Sequence, residues 1–526
     1  MSHCAKCSFS LSTMRRRLTA WALAGLGTAF AATAVYAATP DDTLVIGKAA
    51  DPQTLDPAVT IDNNDWTVTY PAYQKLMRYT VKDGKGSTDV EGDLAESWEV
   101  SDDNLVWTFK LRDGQKFDDG SPVDAGAVKY TFERLMRLKQ GPSEAFPSDL
   151  KVSVVDPLTV EFDLGDEFAP FLYTLANNGA GIVNPKVEDQ DDPDSWLAGH
   201  TAGSGPYRLV SWDKGQALTL EKNPHYGGDS EPTLDKFVVK IVPESSARRL
   251  QLQSGDLDIA ESIAIDQIEP LKKAEGVNVV EAPSLRVHYL YLNNKTGPLA
   301  NVDVRRAVVN ALDYPGFVDG IMLGQAKQMR GPIPEGMWGY DDSIPYPEQD
   351  LDESKAALER SGESERDLLL RYSTRDPVWE SIAVATQANL AAIGFNVKVE
   401  KLANATLRER LDTGEFDIAV GNWSPDFADP YMFTSYWFDS DKHGLAGNRS
   451  FYANDDVDSW LRESATLSDQ DRRIELYKKV QDQVIDDAAY AYLFQVNYQA
   501  ALRDNVKGFV FNPMLEAVFN VADITK

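Results

Sequence analysis

Between residues 367 and 422 short apolar runs alternate with longer stretches of helical period. Residues 367–372 read as a strand, 378–393 as a helix halted by Gly394, and 395–400 as a second strand. A helix over 405–412, ending near Gly414, leads to a third strand over 416–420. This βαβαβ order predicts parallel strands joined by right-handed crossovers.

The first half of the chain is richer in strand patterning. Residues 43–48 read as a strand, followed by a polar loop over 51–65 that holds Pro52 and Pro57. Within 98–112, Trp107, Phe109 and Leu111 alternate with polar positions around an Asp103-Asn104 turn, which predicts a hairpin. A helix starts at Asp124, and strands over 151–156 and 158–163 flank Asp156-Pro157. A second strand group covers 207–212, 217–222 and 236–242, followed by a helix over 244–254 that ends at Gly255. Strands over 256–260 and 288–293 come next, then an amphipathic helix over 303–312 with Asp303 as its cap. A helix over 467–485 and a strand over 488–496 complete the pattern, an α/β architecture with mixed sheets.

The chain has 526 residues, enough for two or three domains, and 43% hydrophobic content argues against disorder. A formal net charge of −30 opposes nucleic acid or an anionic membrane as partner. Arg15-Arg16-Arg17, an alanine-rich apolar run over 18–32 and Val35-Tyr36-Ala37 have the layout of a secretory signal segment cleaved before Ala38. Met14 directly precedes the arginines and is an alternative start. Cys4 and Cys7, in CxxC spacing, fall in that segment, so the exported chain is expected to use no disulfide and no lipid-anchor cysteine. No later run approaches the length of a membrane span.

The most distinctive segment follows the 416–420 run: Gly421-Asn422-Trp423-Ser424-Pro425-Asp426-Phe427-Ala428-Asp429-Pro430. In open α/β sheets ligands bind beyond the carboxyl ends of strands where strand order reverses. If the first and third strands of the βαβαβ unit are neighbours, this loop meets Ser373-Thr374-Arg375-Asp376-Pro377. Arg375 then suits a ligand carboxylate and Asp426 an ammonium, with Trp423 and Phe427 walling the site. The same residues also fit a plainer account, with Arg375 on the surface and Asp426 and Asp429 capping turns.

Ordered motifs along the chain resemble the extracytoplasmic solute-binding proteins of the peptide, dipeptide and nickel class that serve ABC importers. These are Thr54-Leu55-Asp56-Pro57, Leu94-Ala95-Glu96-Ser97-Trp98, the block from Trp107 to Gly114, and Phe117-Asp118-Asp119-Gly120. Gly203-Ser204-Gly205-Pro206-Tyr207, Asn223-Pro224-His225-Tyr226, the run from Asn301 to Ala307, and Ser354-Lys355-Ala356 extend the match. The resemblance implies a two-lobed periplasmic-binding-protein type II fold with a further domain inserted in the first lobe. Its expected division is 1–37 signal segment, 38–75 first lobe, 76–195 inserted β-rich domain and 196–285 first lobe again. Residues 286–500 form the second lobe and 501–526 return to the first. The family pattern W-x-x-D-x-x-[DE]-P falls on Trp423, Asp426, Asp429 and Pro430, which implies Asp426 as partner of a peptide α-ammonium and leaves Asp429 as a turn residue. It places Arg375 on the α-carboxylate, Trp423, Ser424 and Phe427 around the ligand, and Asn63 and Asn64 on the ligand-facing N-terminal loop.

The expected role is a periplasmic receptor that closes on a small peptide and delivers it to an inner-membrane permease, as a monomer and without cofactor or catalysis. An opine, nickel chelate, haem or oligosaccharide remains open as ligand on the same fold. His200, His225, His288 and His443 are too scattered for a histidine metal site. A carboxylate hydrolase is the remaining alternative, but no nucleophile elbow, H-E-x-x-H or phosphate-binding glycine loop occurs.

Overall fold

A computed structural model describes residues 39–517 and 519–526. The expected signal segment, with Cys4 and Cys7, lies outside them. Among the described residues no helix is long and apolar enough to cross a membrane.

The βαβαβ unit forms as its pattern requires. Strand Asp367–Ser373 pairs in parallel with Asn396–Leu402 on one side and with Ile418–Trp423 on the other. The first and third strands are therefore neighbours. Helix Trp379–Ala391 crosses over within the unit, and helix Asn404–Thr413 ends at Gly414, whose φ of 72° is a conformation only glycine adopts cheaply. The third strand is longer than its apolar run predicts: Gly421, Asn422 and Trp423 stay in it, paired with Tyr289, His288 and Val287.

This unit is one end of an eleven-stranded mixed sheet. The sheet continues from Ile418–Trp423 through Val277–Leu292, Tyr490–Arg503, Ile259–Glu261 and Thr43–Lys48 to Lys236–Ile241, Ala217–Lys222 and Tyr207–Asp213. Ala326–Gln328 pairs beside Tyr490–Arg503. Two long antiparallel strands, Val277–Leu292 and Tyr490–Arg503, thus run from one half of the sheet into the other. Their register slips between Pro283 and Val287, where proline has no N–H for the ladder. The expected boundaries at 285/286 and 500/501 fall inside these strands.

Residues 76–195 build separate small sheets. Met77–Lys82 pairs with Lys85–Gly92, and Ala95–Val100, Val106–Leu111, Thr159–Asp163 and Lys151–Asp156 form a four-stranded antiparallel sheet. Its inner face packs on helix Ala125–Leu138 through an edge-to-face contact of Phe162 with Phe132, centroids 5.0 Å apart, while Phe162 meets Phe109 of the neighbouring strand at 5.6 Å. The expected hairpin turn is present, with Asn104 in the left-handed region.

Three expectations change. The loop over 51–65 ends early, because Asp62 caps a helix over Asn63–Ala72. Asn301, not Asp303, caps helix Val302–Ala311, and Asp303 sits in its first turn. The helix expected over 467–485 is present as Gln470–Asp486, but an unexpected helix, Asp455–Thr466, precedes it.

Candidate functional site

The exit loop of strand Asp367–Ser373 is tied to the end of its parallel neighbour Ile418–Trp423. Asn422 Nδ2 donates to Asp376 Oδ2 at 3.0 Å, and the same carboxylate accepts from Arg286 Nη2 at 2.6 Å and His288 Nε2 at 3.1 Å. Burial alone would raise the Asp376 carboxyl, but the bond from His288 and the Arg286 charge hold it well below the usual range. Burial pushes the His288 imidazole down, so we assign the positive charge of this cluster to Arg286 and a neutral, donating ring to His288. Phe494 stacks on that ring, centroids 4.8 Å apart.

The loop carrying Asp426 is held at several points. Asn177 Nδ2 donates to the Asp426 carbonyl at 2.8 Å, and Trp338 Nε1 donates to the Ala428 carbonyl at 2.9 Å. Phe427 is buried edge-on against Phe168. Asp429 is fully buried and takes both ends of the Arg473 guanidinium at 2.8 Å each, besides capping the turn at Pro430. The turn role expected for Asp429 is thus accompanied by a buried ion pair.

Asp426 itself differs. Its side chain is open to solvent, yet the protein surrounds it closely enough that desolvation, with a smaller contribution from Glu144, raises its pKa to about 6. It has no cationic partner among the described residues. Trp423 stacks on Tyr436 with centroids 4.7 Å apart and is half-buried at the strand end. Ser424 is exposed beside it.

Arg375 is exposed, forms no ion pair among the described residues, and is held through its backbone N–H on Ser373 Oγ at 3.3 Å. Asn64 spends its side chain on Asp62 Oδ1 at 2.9 Å within the helix cap. Asn63, in the first turn, lies beside Glu516 together with Ser284 and Arg286, and burial raises the Glu516 carboxyl. The strands therefore bring Arg375 and Asp426 onto adjoining loops, and Asn63 onto the Glu516 cluster.

Sequence reasoning missed Asn177, Trp338, Arg473 and the Arg286–His288–Asp376 cluster. The one available signal was the unusual pair of basic residues in the otherwise apolar run Leu285-Arg286-Val287-His288-Tyr289.

A long sheet whose neighbouring strands end in loops that carry an open aspartate and an open arginine fits the layout of a binding cleft. The family model of bacterial extracellular solute-binding proteins, family 5, middle, matches residues 89–444. The chain belongs to this family. It is 58% identical over 494 residues to the probable D,D-dipeptide-binding periplasmic protein DdpA of Escherichia coli (strain K12), covering 93% of this chain and 96% of that one. It is 29% identical to heme-binding protein A of Haemophilus influenzae, with 90% of each chain covered. The periplasmic binding protein DppA of Helicobacter pylori, solved in complex with the peptide STSA, superposes with a TM-score of 0.77 at 29% identity, covering 92% of this chain and 98% of that one. The fold is the two-lobed type II periplasmic-binding-protein fold.

Proposed function

We propose that the chain is the substrate-binding subunit of an ABC importer, taking up dipeptides or short peptides in the periplasm. The observation that carries this reading is Asp426. An enclosed but water-accessible carboxylate with no cation of its own, on a loop fixed by neighbours on both sides, is arranged to receive a ligand ammonium.

Arg375, open and unpaired on the adjoining loop, supplies a fork for the ligand carboxylate. Trp423, Ser424 and Phe427 line the ammonium end, and Asn63 and Asn64 approach from the first lobe. Residues 38–75, 196–285 and 501–526 make that lobe, 76–195 the inserted domain and 286–500 the second lobe, with the two long strands as the hinge. Only a ligand that binds the closed form better than the open one drives closure. The chain is exported through its N-terminal segment, acts as a monomer without cofactor, and hands the ligand unaltered to permease subunits. The relative at 58% identity supports D,D-dipeptides as the first ligands to try.

Calorimetry with D-Ala-D-Ala, L-Ala-L-Ala and their N-acetyl forms tests the reading. Free-amine dipeptides are expected to bind, acetylation to abolish binding, and Asp426→Ala to do the same. Equal affinity for acetylated and free peptides removes the ammonium role of Asp426. Arg375→Ala is expected to weaken dipeptides more than longer peptides, and equal losses remove its carboxylate role.

A further inference from the structure

Five arginines are buried in the described chain: Arg134, Arg248, Arg305, Arg449 and Arg473. In four of them all three guanidinium nitrogens are hydrogen-bonded to carboxylates or backbone carbonyls. Arg134 meets the carboxylates of Asp56 and Asp194, and Arg473 meets Asp429. Arg248 and Arg305 are each ringed by backbone carbonyls.

Arg449 is the exception. Only 7% of it is exposed, no carboxylate pairs with it, and its two contacts are the hydroxyls of Tyr291 at 3.1 Å and Tyr436 at 3.2 Å. Its Nε is buried without a partner. The guanidinium lies 5.8 Å from the ring centroids of both Trp423 and Tyr436, and the indole Nε1 of Trp423 is likewise buried without a partner. Arginine and tryptophan side chains only donate hydrogen bonds, so a group that completed this set would be an acceptor. Next to an uncompensated cation that acceptor is best an anion.

We propose that Arg449 and Trp423, with the Tyr436 hydroxyl, form a carboxylate subsite next to the ammonium site. Trp423 ends the strand whose exit loop carries Asp426 three residues on, and Tyr436 stacks on its indole with centroids 4.7 Å apart. The subsite takes either an acidic group on the first residue of the bound peptide, which rests on the reading above, or a small free carboxylate. In the first case it selects ligands that carry a carboxylate close to their free amine.

The test uses the full mature chain, with Arg449→Lys, which keeps the charge but loses the fork, and Trp423→Phe, which keeps the ring but loses the N–H. Calorimetry with Glu-Ala and its isostere Gln-Ala reads the ligand source. Wild type is expected to prefer Glu-Ala by about tenfold, a scale set by one charge-assisted pair, and both variants to shrink that ratio. Thermal shift with sodium formate alone, against sodium chloride at equal ionic strength, reads the free source. A formate-specific rise in wild type that both variants lose also supports the subsite. An unchanged Glu-Ala to Gln-Ala ratio in both variants, together with no formate-specific difference between them and wild type, overturns it. If wild type binds neither dipeptide, the peptide reading fails on its own, and the formate arm alone decides the subsite by the same difference.

Discussion

Asp429 and Arg473 meet as a bidentate pair, both oxygens at 2.8 Å from guanidinium nitrogens and both side chains out of solvent. Tyr477 Oη adds a third contact to Asp429 at 3.2 Å. This pair ties the loop after strand Ile418–Trp423 to helix Gln470–Asp486 and leaves Asp429 paired where Asp426, three residues earlier, has no cationic partner among the described residues. Removing Arg473 leaves Asp429 buried and unpaired. Arg473→Ala should therefore cost about 3–5 kcal/mol of stability, measured by denaturant titration. A loss under about 1 kcal/mol would mean that the pair is not buried as described.

Ligand affinity should depend on pH through Asp426. Its pKa in the free protein is raised to about 6 by burial, and an ammonium is bound by the ionised form only. Affinity for free-amine peptides is then full well above that value and falls as pH drops through it, by about fivefold from pH 6 to pH 5. For folding the sign is opposite. A carboxyl raised above its unfolded value favours the folded state at low pH, and that contribution is lost as pH rises toward 6. Titration calorimetry at several pH values checks the first effect, and a flat profile would contradict it.

Asp376 should act in the other direction. Its carboxyl is held below the usual range, so it stabilises the fold above the unfolded value and loses that contribution as pH falls through the folded one. Asp376→Asn should lower the melting temperature near neutrality and flatten its fall on acidification below about pH 4. Parallel melting profiles for variant and wild type would show that the Arg286–His288–Asp376 cluster carries no such linkage.

Gly421 should not tolerate a side chain. A Cβ there would stand 2.5 Å from Tyr291 Cε2 and 2.6 Å from Tyr289 Cε2, both in buried rings. Gly421→Ala should cost about 1–3 kcal/mol through overpacking. Because the strand runs directly into Trp423, near-ultraviolet circular dichroism should change as well. An unaltered aromatic spectrum with unaltered stability would show that the two rings move aside freely.

Much of the local architecture was legible in the chain. The period switch over 367–422 predicted parallel strands, and those strands are parallel, with the first and third adjacent. Gly255, Gly394 and Gly414 marked helix ends because each sits at positive φ there. The end of the third strand was misplaced, because Gly421 and Asn422 look like loop residues until Tyr289 and His288 pair with them.

The sequence by itself determined the strand and helix order of the βαβαβ unit, which follows from short-range periodicity, and it carried the ordered motifs whose resemblance to a family implies the type II fold and the role of Asp426. The tertiary structure alone decided which charges are compensated. Arg473 reaches Asp429 across 44 residues, Asn177 reaches the Asp426 carbonyl across 249, and the Arg449 side chain hydrogen-bonds only to tyrosines among the described residues. Buried charge is governed by what surrounds it in space, and those neighbours come from segments too distant in the chain for pattern or propensity to link.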